Sequence, residues 1–183
     1  IMEVPVVCVE VQRGGPSTGL PTKTEQGDLF QVYGASQGEF PKLIVAPRDI
    51  ADAYDTTVNV FNLADKYQLP VLLISDLLLS EHPETVDPEA FYSDVKINRG
   101  EVITEWNPDK QGKFKRFKFT DSGISPRVFP GTEHCNYVSA TDDHDEESIL
   151  ISDMFTSPPT RRKISEKRFR KMENLLKELP APK

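Results

Sequence analysis

Val4-Pro5-Val6-Val7-Cys8-Val9-Glu10-Val11 runs straight into Gln12-Arg13-Gly14-Gly15-Pro16-Ser17-Thr18-Gly19-Leu20-Pro21-Thr22-Lys23-Thr24-Glu25-Gln26, and this junction decides the fold. The first part is β-branched and does not alternate. That is the pattern of a strand buried on both faces of a parallel sheet. The second part is a loop: residues 12–24 hold three Gly, two Pro, one Ser and three Thr. A loop at the carboxyl end of a parallel strand stands where open α/β sheets place their ligands. Its glycines let backbone N–H groups come close to a ligand, and its prolines stiffen the path. Arg13 offers a bidentate fork for a carboxylate or phosphate, and Ser17, Thr18 and Thr22 add short hydroxyls. The alternative is a surface connection of turn residues with one solvated Arg. Two phosphate-binding patterns are missing. Lys23 follows Thr22 rather than a glycine, so there is no Walker loop, and the G-x-G-x-x-G spacing is absent. Residue chemistry alone thus specifies an anion or small-acid loop.

Downstream, residues 24–31 read as a short polar helix, with Glu25 and Asp28 suited to the helix dipole. Residues 42–46, KLIVA, read as a strand closed by Pro47. Asp49 caps a helix whose buried stripe is Ile50, Ala53, Tyr54, Thr57, Val60, Phe61, Ala64 and Tyr67. Pro70 introduces a strand over residues 71–75. Strand, helix and strand in that order predict a right-handed crossover and a parallel sheet. Asp76 falls at the strand's end, as a helix cap or as a loop-ordering or interface carboxylate.

Residues 80–91 read as a linker. Residues 95–106 and 113–120 are expected to pair as a β-hairpin around Asn107-Pro108-Asp109-Lys110-Gln111-Gly112. The run Lys113-Phe114-Lys115-Arg116-Phe117-Lys118-Phe119 interleaves basic and aromatic residues, as single-strand nucleic-acid binders do. A half-buried hairpin with a solvated basic face is the preferred reading, without nucleic acid. Arg127 pairs with a carboxylate or lines a substrate entrance. Asp142, Asp143, His144, Asp145, Glu146 and Glu147 form a solvated acidic loop rather than a metal site, since their order matches no EF-hand. His82 and His134 are surface residues. Ser157-Pro158-Pro159 starts a basic helix with Ile164, Phe169, Met172, Leu175, Leu176 and Leu179 on its apolar face. It docks on the sheet or on a partner subunit, with a membrane surface as the lesser reading.

The chain has 183 residues, 37% hydrophobic and 28% charged, enough for a sizeable core. No apolar run is long enough to span a membrane, and no signal peptide is visible, so a cytoplasmic location is expected. The net charge of −7 is uneven, because residues 157–183 hold nine Lys/Arg against three Asp/Glu. Cys8 is expected to pack as a small hydrophobe in its strand. With only Cys8 and Cys135 there is no cysteine framework for an iron–sulfur cluster or zinc.

The fifteen residues 12–26, QRGGPSTGLPTKTEQ, resemble the signature of the α subunits of 2-oxoacid:ferredoxin oxidoreductases. Asp28-Leu29, Tyr33-Gly34, Tyr67-Gln68-Leu69-Pro70-Val71-Leu72-Leu73-Ile74-Ser75-Asp76 and Gly123-Ile124-Ser125-Pro126-Arg127-Val128-Phe129-Pro130-Gly131 continue the likeness in order. So do His144-Asp145-Glu146 and the basic helix near the end. The resemblance implies part of a thiamine-diphosphate-binding-type α/β fold. A parallel sheet is flanked by helices, with a β-hairpin excursion and a C-terminal helix. Residues 1–80 would be the C-terminal half of the domain that holds the cofactor's aminopyrimidine, residues 81–156 the excursion and residues 157–183 the helix. The family's earlier Tyr-Pro-Ile-Thr-Pro type segment and activating glutamate have no counterpart, so the sequence reads as a fragment or one half of a split subunit.

The implied activity is oxidative decarboxylation of a 2-oxoacid such as pyruvate or 2-oxoglutarate to an acyl-CoA, with ferredoxin as electron acceptor. Thiamine diphosphate and magnesium would be bound mainly by a β subunit, the 4Fe-4S cluster would lie in a partner subunit, and coenzyme A would be co-substrate. None of these is expected on this chain alone, and no residue here is expected to be catalytic or to bind metal. By the resemblance Arg13 pairs with the substrate carboxylate. Thr18 and Thr22 hydrogen-bond the substrate, Ser17 and Lys23 assist, and Gly14, Gly15, Pro16, Gly19 and Pro21 shape the loop. The competing reading is a non-enzymatic anion- or partner-binding α/β module, which would hold its ligand without a β subunit.

Overall fold

Pro70–Asp76 (β3) is the middle strand of a three-stranded parallel sheet, because Val71, Leu73 and Ile74 are buried and both its edges are paired. The computed structural model describes residues 1–91, 94–155 and 157–181 of the protein. Val6–Gln12 (β1) pairs with β3 from Val6↔Pro70 to Gln12↔Asp76, and Leu43–Val45 (β2) pairs on the other side. Between β1 and β2 lies the short helix Leu29–Gly34 (α1). Ile50–Tyr67 (α2) links β2 to β3. Its first turn is closed by Asp49, whose carboxylate accepts from the Asp52 N–H. Gln68 ends it in a left-handed conformation. Val60, Ala64 and Tyr67 bury the expected stripe, together with Leu69 beyond the cap. Leu77–Glu81 (α3) follows β3 at once, and a single 3₁₀ turn forms at Pro88–Phe91.

The expectation of a parallel α/β sheet with flanking helices and a C-terminal helix therefore holds. Three details around the first strand differ. β1 is not buried on both faces: it is an edge strand, with Val6, Val9 and Val11 exposed by 45%, 62% and 40%. Its apolar composition is that of an interior strand, but among the described residues it pairs on one side only. Cys8 is consequently exposed rather than packed. The short helix starts at Leu29, not at residue 24, and residues 24–28 form no regular element. On α2, Phe61 and Thr57 lie outside the buried stripe, Phe61 being 58% exposed.

By its contacts the chain forms two compact units, residues 4–98, just described, and residues 1–3 with 99–183. In the second unit the expected hairpin is absent. Val102–Ile103 (β4) pairs in parallel with Arg127–Val128 (β5), and residues 108–111 make one helical turn, Pro108–Gln111 (α4), capped by Asn107. Residues 113–120 form no strand. Phe114 packs with Val128 and Cys135 under Ile103 and Trp106, and Phe117 and Arg116 are buried. Lys113 and Lys118 stay exposed, as expected of a basic face, but Arg116 is buried with the two phenylalanines. Arg127 donates to the Arg99 carbonyl at 2.8 Å.

Ser157–Glu178 (α5) also presents a different face from the one expected. Ile164, Lys167, Arg168, Lys171 and Leu175 are buried, while Phe169 and Leu176 are exposed. The reason is Glu3. Its carboxylate is 3% exposed and lies 2.6 Å from Lys167 Nζ and 2.5 Å from Lys171 Nζ. Arg116 donates to the Glu3 carbonyl. Gly123, at φ +77°, lets this segment approach α5 so closely that a Cβ would sit 2.3 Å from the Lys167 carbonyl oxygen.

The acidic stretch near residues 142–147 is structured rather than solvated. His144 is fully buried, stacked on Phe117 at 3.9 Å, with Nδ1 2.7 Å from the Asp145 carbonyl oxygen. Asp143 pairs with Arg161 at 3.0 Å and with Arg168 at 3.4 Å. Glu146 accepts from the Phe119 N–H, and Glu147 pairs with Lys113. Among the described residues no group of three His, Cys, Asp or Glu is placed to hold a metal ion. No helix there is long and apolar enough to cross a membrane.

Candidate functional site

The loop after β1 is closed on itself by backbone hydrogen bonds. Gly14 and Leu20 form an isolated antiparallel bridge. The Gly14 N–H donates to the Lys23 carbonyl at 3.3 Å, and the Gly19 N–H to the Pro16 carbonyl at 2.9 Å. The Gly15–Pro16 peptide is cis. Gly19 has φ +45°, and a Cβ there would lie 2.2 Å from the Gly14 carbonyl oxygen, so only glycine fits. Gly15, by contrast, has open space where a Cβ would go. Ser17 and Thr22 also hold positive φ, at 55° and 61°, conformations that a non-glycine residue adopts only under local constraint.

The five side chains expected to bind ligand, Arg13, Ser17, Thr18, Thr22 and Lys23, are all exposed. Arg13 makes no ion pair among the described residues, so its guanidinium is available to an anion from outside. Thr22 and Lys23 come together. With Thr24, Leu77, Leu78 and His82 they line an open hollow of about 360 Å³ beside α3. None of the five is desolvated within this chain. A strong Arg–carboxylate interaction there requires a further surface to cover the loop.

Sequence reasoning offered Asp76 as a helix cap or a loop-ordering carboxylate but missed the two glutamines that anchor the loop with it. Gln12 is 5% exposed. Its Nε2 donates to the Ser75 carbonyl at 3.2 Å, and its Oε1 accepts from the Asp28 N–H at 3.1 Å. Gln26 Nε2 donates to Asp76 Oδ2 at 2.7 Å, while Asp76 Oδ1 accepts from the Leu79 N–H at 2.8 Å. Asp76 is thus the cap of α3 and an anchor of the loop together. The Leu79 N–H and the Gln26 amide hold its carboxyl below the usual range. A signal was available: amide and carboxylate side chains stand at the adjacent carboxyl ends of two strands that the crossover rule pairs.

The chain is similar to known proteins along most of its length. A family model described as pyruvate flavodoxin/ferredoxin oxidoreductase, thiamine diphosphate-binding, matches residues 1–153. The α subunit of 2-oxoacid:ferredoxin oxidoreductase 1 from Sulfurisphaera tokodaii is 40% identical over 179 residues, covering 97% of this chain and 27% of that protein. The 2-oxoglutarate synthase subunit KorA of Methanocaldococcus jannaschii is 42% identical over 117 residues, 64% of this chain and 30% of the relative. Among solved structures, the 2-oxoglutarate:ferredoxin oxidoreductase from Magnetococcus marinus, with 2-oxoglutarate, coenzyme A and succinyl-CoA bound, superposes with a TM-score of 0.80 at 35% identity. That match covers 98% of this chain and 30% of the other. The chain thus spans less than a third of the length of these relatives.

Proposed function

Because this chain belongs to the pyruvate flavodoxin/ferredoxin oxidoreductase family of thiamine-diphosphate-binding domains, we propose that it is the substrate-recognition part of a 2-oxoacid:ferredoxin oxidoreductase α subunit. The observation that carries this reading is the loop itself. It leaves the carboxyl end of a parallel strand, holds a closed conformation, and carries an Arg with no ion-pair partner among the described residues. Arg13 pairs with the 2-oxoacid carboxylate, Thr18 and Thr22 hydrogen-bond the substrate, and Ser17 and Lys23 assist. Residues 1–80 are assigned to the C-terminal half of the pyrimidine-type domain, residues 81–156 to an excursion from it and residues 157–183 to the basic helix. A cytoplasmic, hetero-oligomeric enzyme is the setting.

Thiamine diphosphate, when bound, supplies the carbanion-stabilising chemistry of decarboxylation. The magnesium that would accompany it would need hard oxygen ligands, and among the described residues no group of three or more His, Cys, Asp or Glu is placed to hold a metal ion. Two cysteines likewise fall short of the four thiolates of a 4Fe-4S cluster. The residues here do not fit either group. Both are assigned to the β subunit or another partner, with coenzyme A as co-substrate and ferredoxin as acceptor. This chain's own share is to bind and orient the substrate. A preorganised guanidinium fixes the carboxylate, and the hydroxyls fix rotation about it.

In the assembled enzyme, Arg13→Ala is expected to lower kcat/KM for 2-oxoglutarate or pyruvate at least about tenfold, roughly 1.4 kcal/mol. Arg13→Lys should recover only part, because an ammonium cannot form the fork. Kinetics unchanged by Arg13→Ala would remove Arg13 from the site. Calorimetric binding of either acid to the chain without a β subunit would favour the anion-binding module instead.

A further inference from the structure

We infer that Gln26 and Asp76, backed by Gln12, form a positioning latch that holds the Arg13 loop in its binding conformation; this rests on the loop being the substrate reader. Gln12 is the last residue of β1 and is in register with Asp76, the last residue of β3. Its buried amide spans the strand ends, touching the Ser75 carbonyl on one side and the Asp28 N–H on the other. The loop's first and last residues are therefore tied to each other and to the sheet. Gln26 makes the second tie, at 2.7 Å to Asp76 Oδ2. That contact has an ionised acceptor, which makes it stronger than a neutral pair. The other oxygen of Asp76 is fixed by the Leu79 N–H, so the carboxylate cannot swing away with the loop.

The two ties bracket a loop that is otherwise largely exposed, with four backbone hydrogen bonds inside residues 14–23 and the Thr24 hydroxyl as a further partner of Asp76. Asp76 and Gln26 touch no reacting atom in this reading; they act through Arg13, Thr18 and Thr22. Their effect is nonetheless catalytic in consequence, since a misplacement of about 1 Å in a positioning group costs on the order of a hundredfold in rate.

The test reverses the polarity of the pair in the assembled enzyme. Gln26→Glu sets two carboxylates against each other. Adding Asp76→Asn restores a donor facing an acceptor and keeps the helix cap, since Asn caps as well as Asp. Pulsed hydrogen exchange at the Gly14, Leu20 and Lys23 amides reads loop closure, and kcat/KM for the 2-oxoacid reads function. The single variant is expected to speed exchange and lower kcat/KM about fivefold, and the double variant to restore both to within about twofold. Exchange unmoved by Gln26→Glu overturns the latch. Activity lost in the single variant and not rescued in the double also overturns it. Faster exchange with unchanged kcat/KM leaves the latch in place but removes the loop from substrate recognition, and the positioning role falls with that premise.

Discussion

Glu3→Gln destabilises the unit formed by residues 1–3 and 99–183 by about 3–5 kcal/mol, the cost of leaving buried charges without their partner. One carboxylate serves two ammonium groups on successive turns of α5, with Arg116 on its own backbone carbonyl. The arrangement is unequal, and the titration of its members follows. Burial alone would raise the Glu3 carboxyl, but Lys171 and Lys167 outweigh it and hold it at about 2. Lys167 is moved the other way from what a simple pair would give. Burial lowers it to about 8, and its half share of one carboxylate does not offset that loss of solvent.

Both groups are depressed, so the pH dependence has the same sign at the two ends: stability rises with pH in each window. Glu3 is depressed from an ordinary 4.5, so its stabilisation is complete above pH 4.5 and lost as pH falls toward 2, about 3 kcal/mol in all. Between pH 8 and 10.5 the unfolded Lys167 binds a proton that the folded one has shed, so stability rises across that window. Trp106, the only tryptophan, packs edge-on to Phe114 within this unit and reports its unfolding by fluorescence. Denaturant titrations of wild type and Glu3→Gln at pH 3, 7 and 9 test the scheme. Equal midpoints at pH 7 would show that solvent, not Glu3, compensates the lysines.

Gly19→Ala is the second large effect, expected to lower kcat/KM in the assembled enzyme by about a hundredfold or more while leaving the Trp106 unfolding transition in place. The new methyl would collide with the Gly14 carbonyl oxygen and with the Gly15 backbone, neither of which is a flexible side-chain end that could yield. The backbone at φ +45° is itself unfavourable for alanine. The Gly14–Leu20 bridge would open, and with it the spacing between Arg13 and the threonines. Gly15→Ala is the control, because its Cβ points into open space. If both variants retain activity, the closed loop conformation is not the active one.

The elements whose signals are local were readable in advance. Asp49 and the stripe of Val60, Ala64 and Tyr67 defined α2, and the VLLIS run defined the central strand. The loop's composition and its fifteen-residue likeness are what nominate it as the candidate site. What failed depended on partners distant in sequence. Residues 113–119 alternate like a strand, yet Phe117 is buried against His144 and Arg116 reaches Glu3, contacts that no alternation pattern encodes. On α5, positions 164, 167, 168, 171 and 175 form one helical face, but two lysines and an arginine within it made it look like the solvent side. Only a buried acid from the other end of the sequence makes that face an interior one. Gln12 and Gln26 were overlooked for a similar reason. Amides carry no charge signature, and their role appears only when two strand ends are set side by side.

The bare side of β1 also has a consequence for how this polypeptide behaves as material. Among the described residues its outer N–H and C=O groups join no strand, and they run beside exposed Val6, Val9 and Val11, with Glu10 the only charge along the strand. Natural sheet margins usually carry lysines, bulges or an interrupting proline that discourage recruitment of another chain. Within β1 none of these is present; Pro5 stands just before it. The same valines that could zip to an added strand are therefore a seed for self-association where no such strand covers them. Production apart from a cognate strand then becomes a contest between docking and aggregation, decided by concentration and by which encounter comes first.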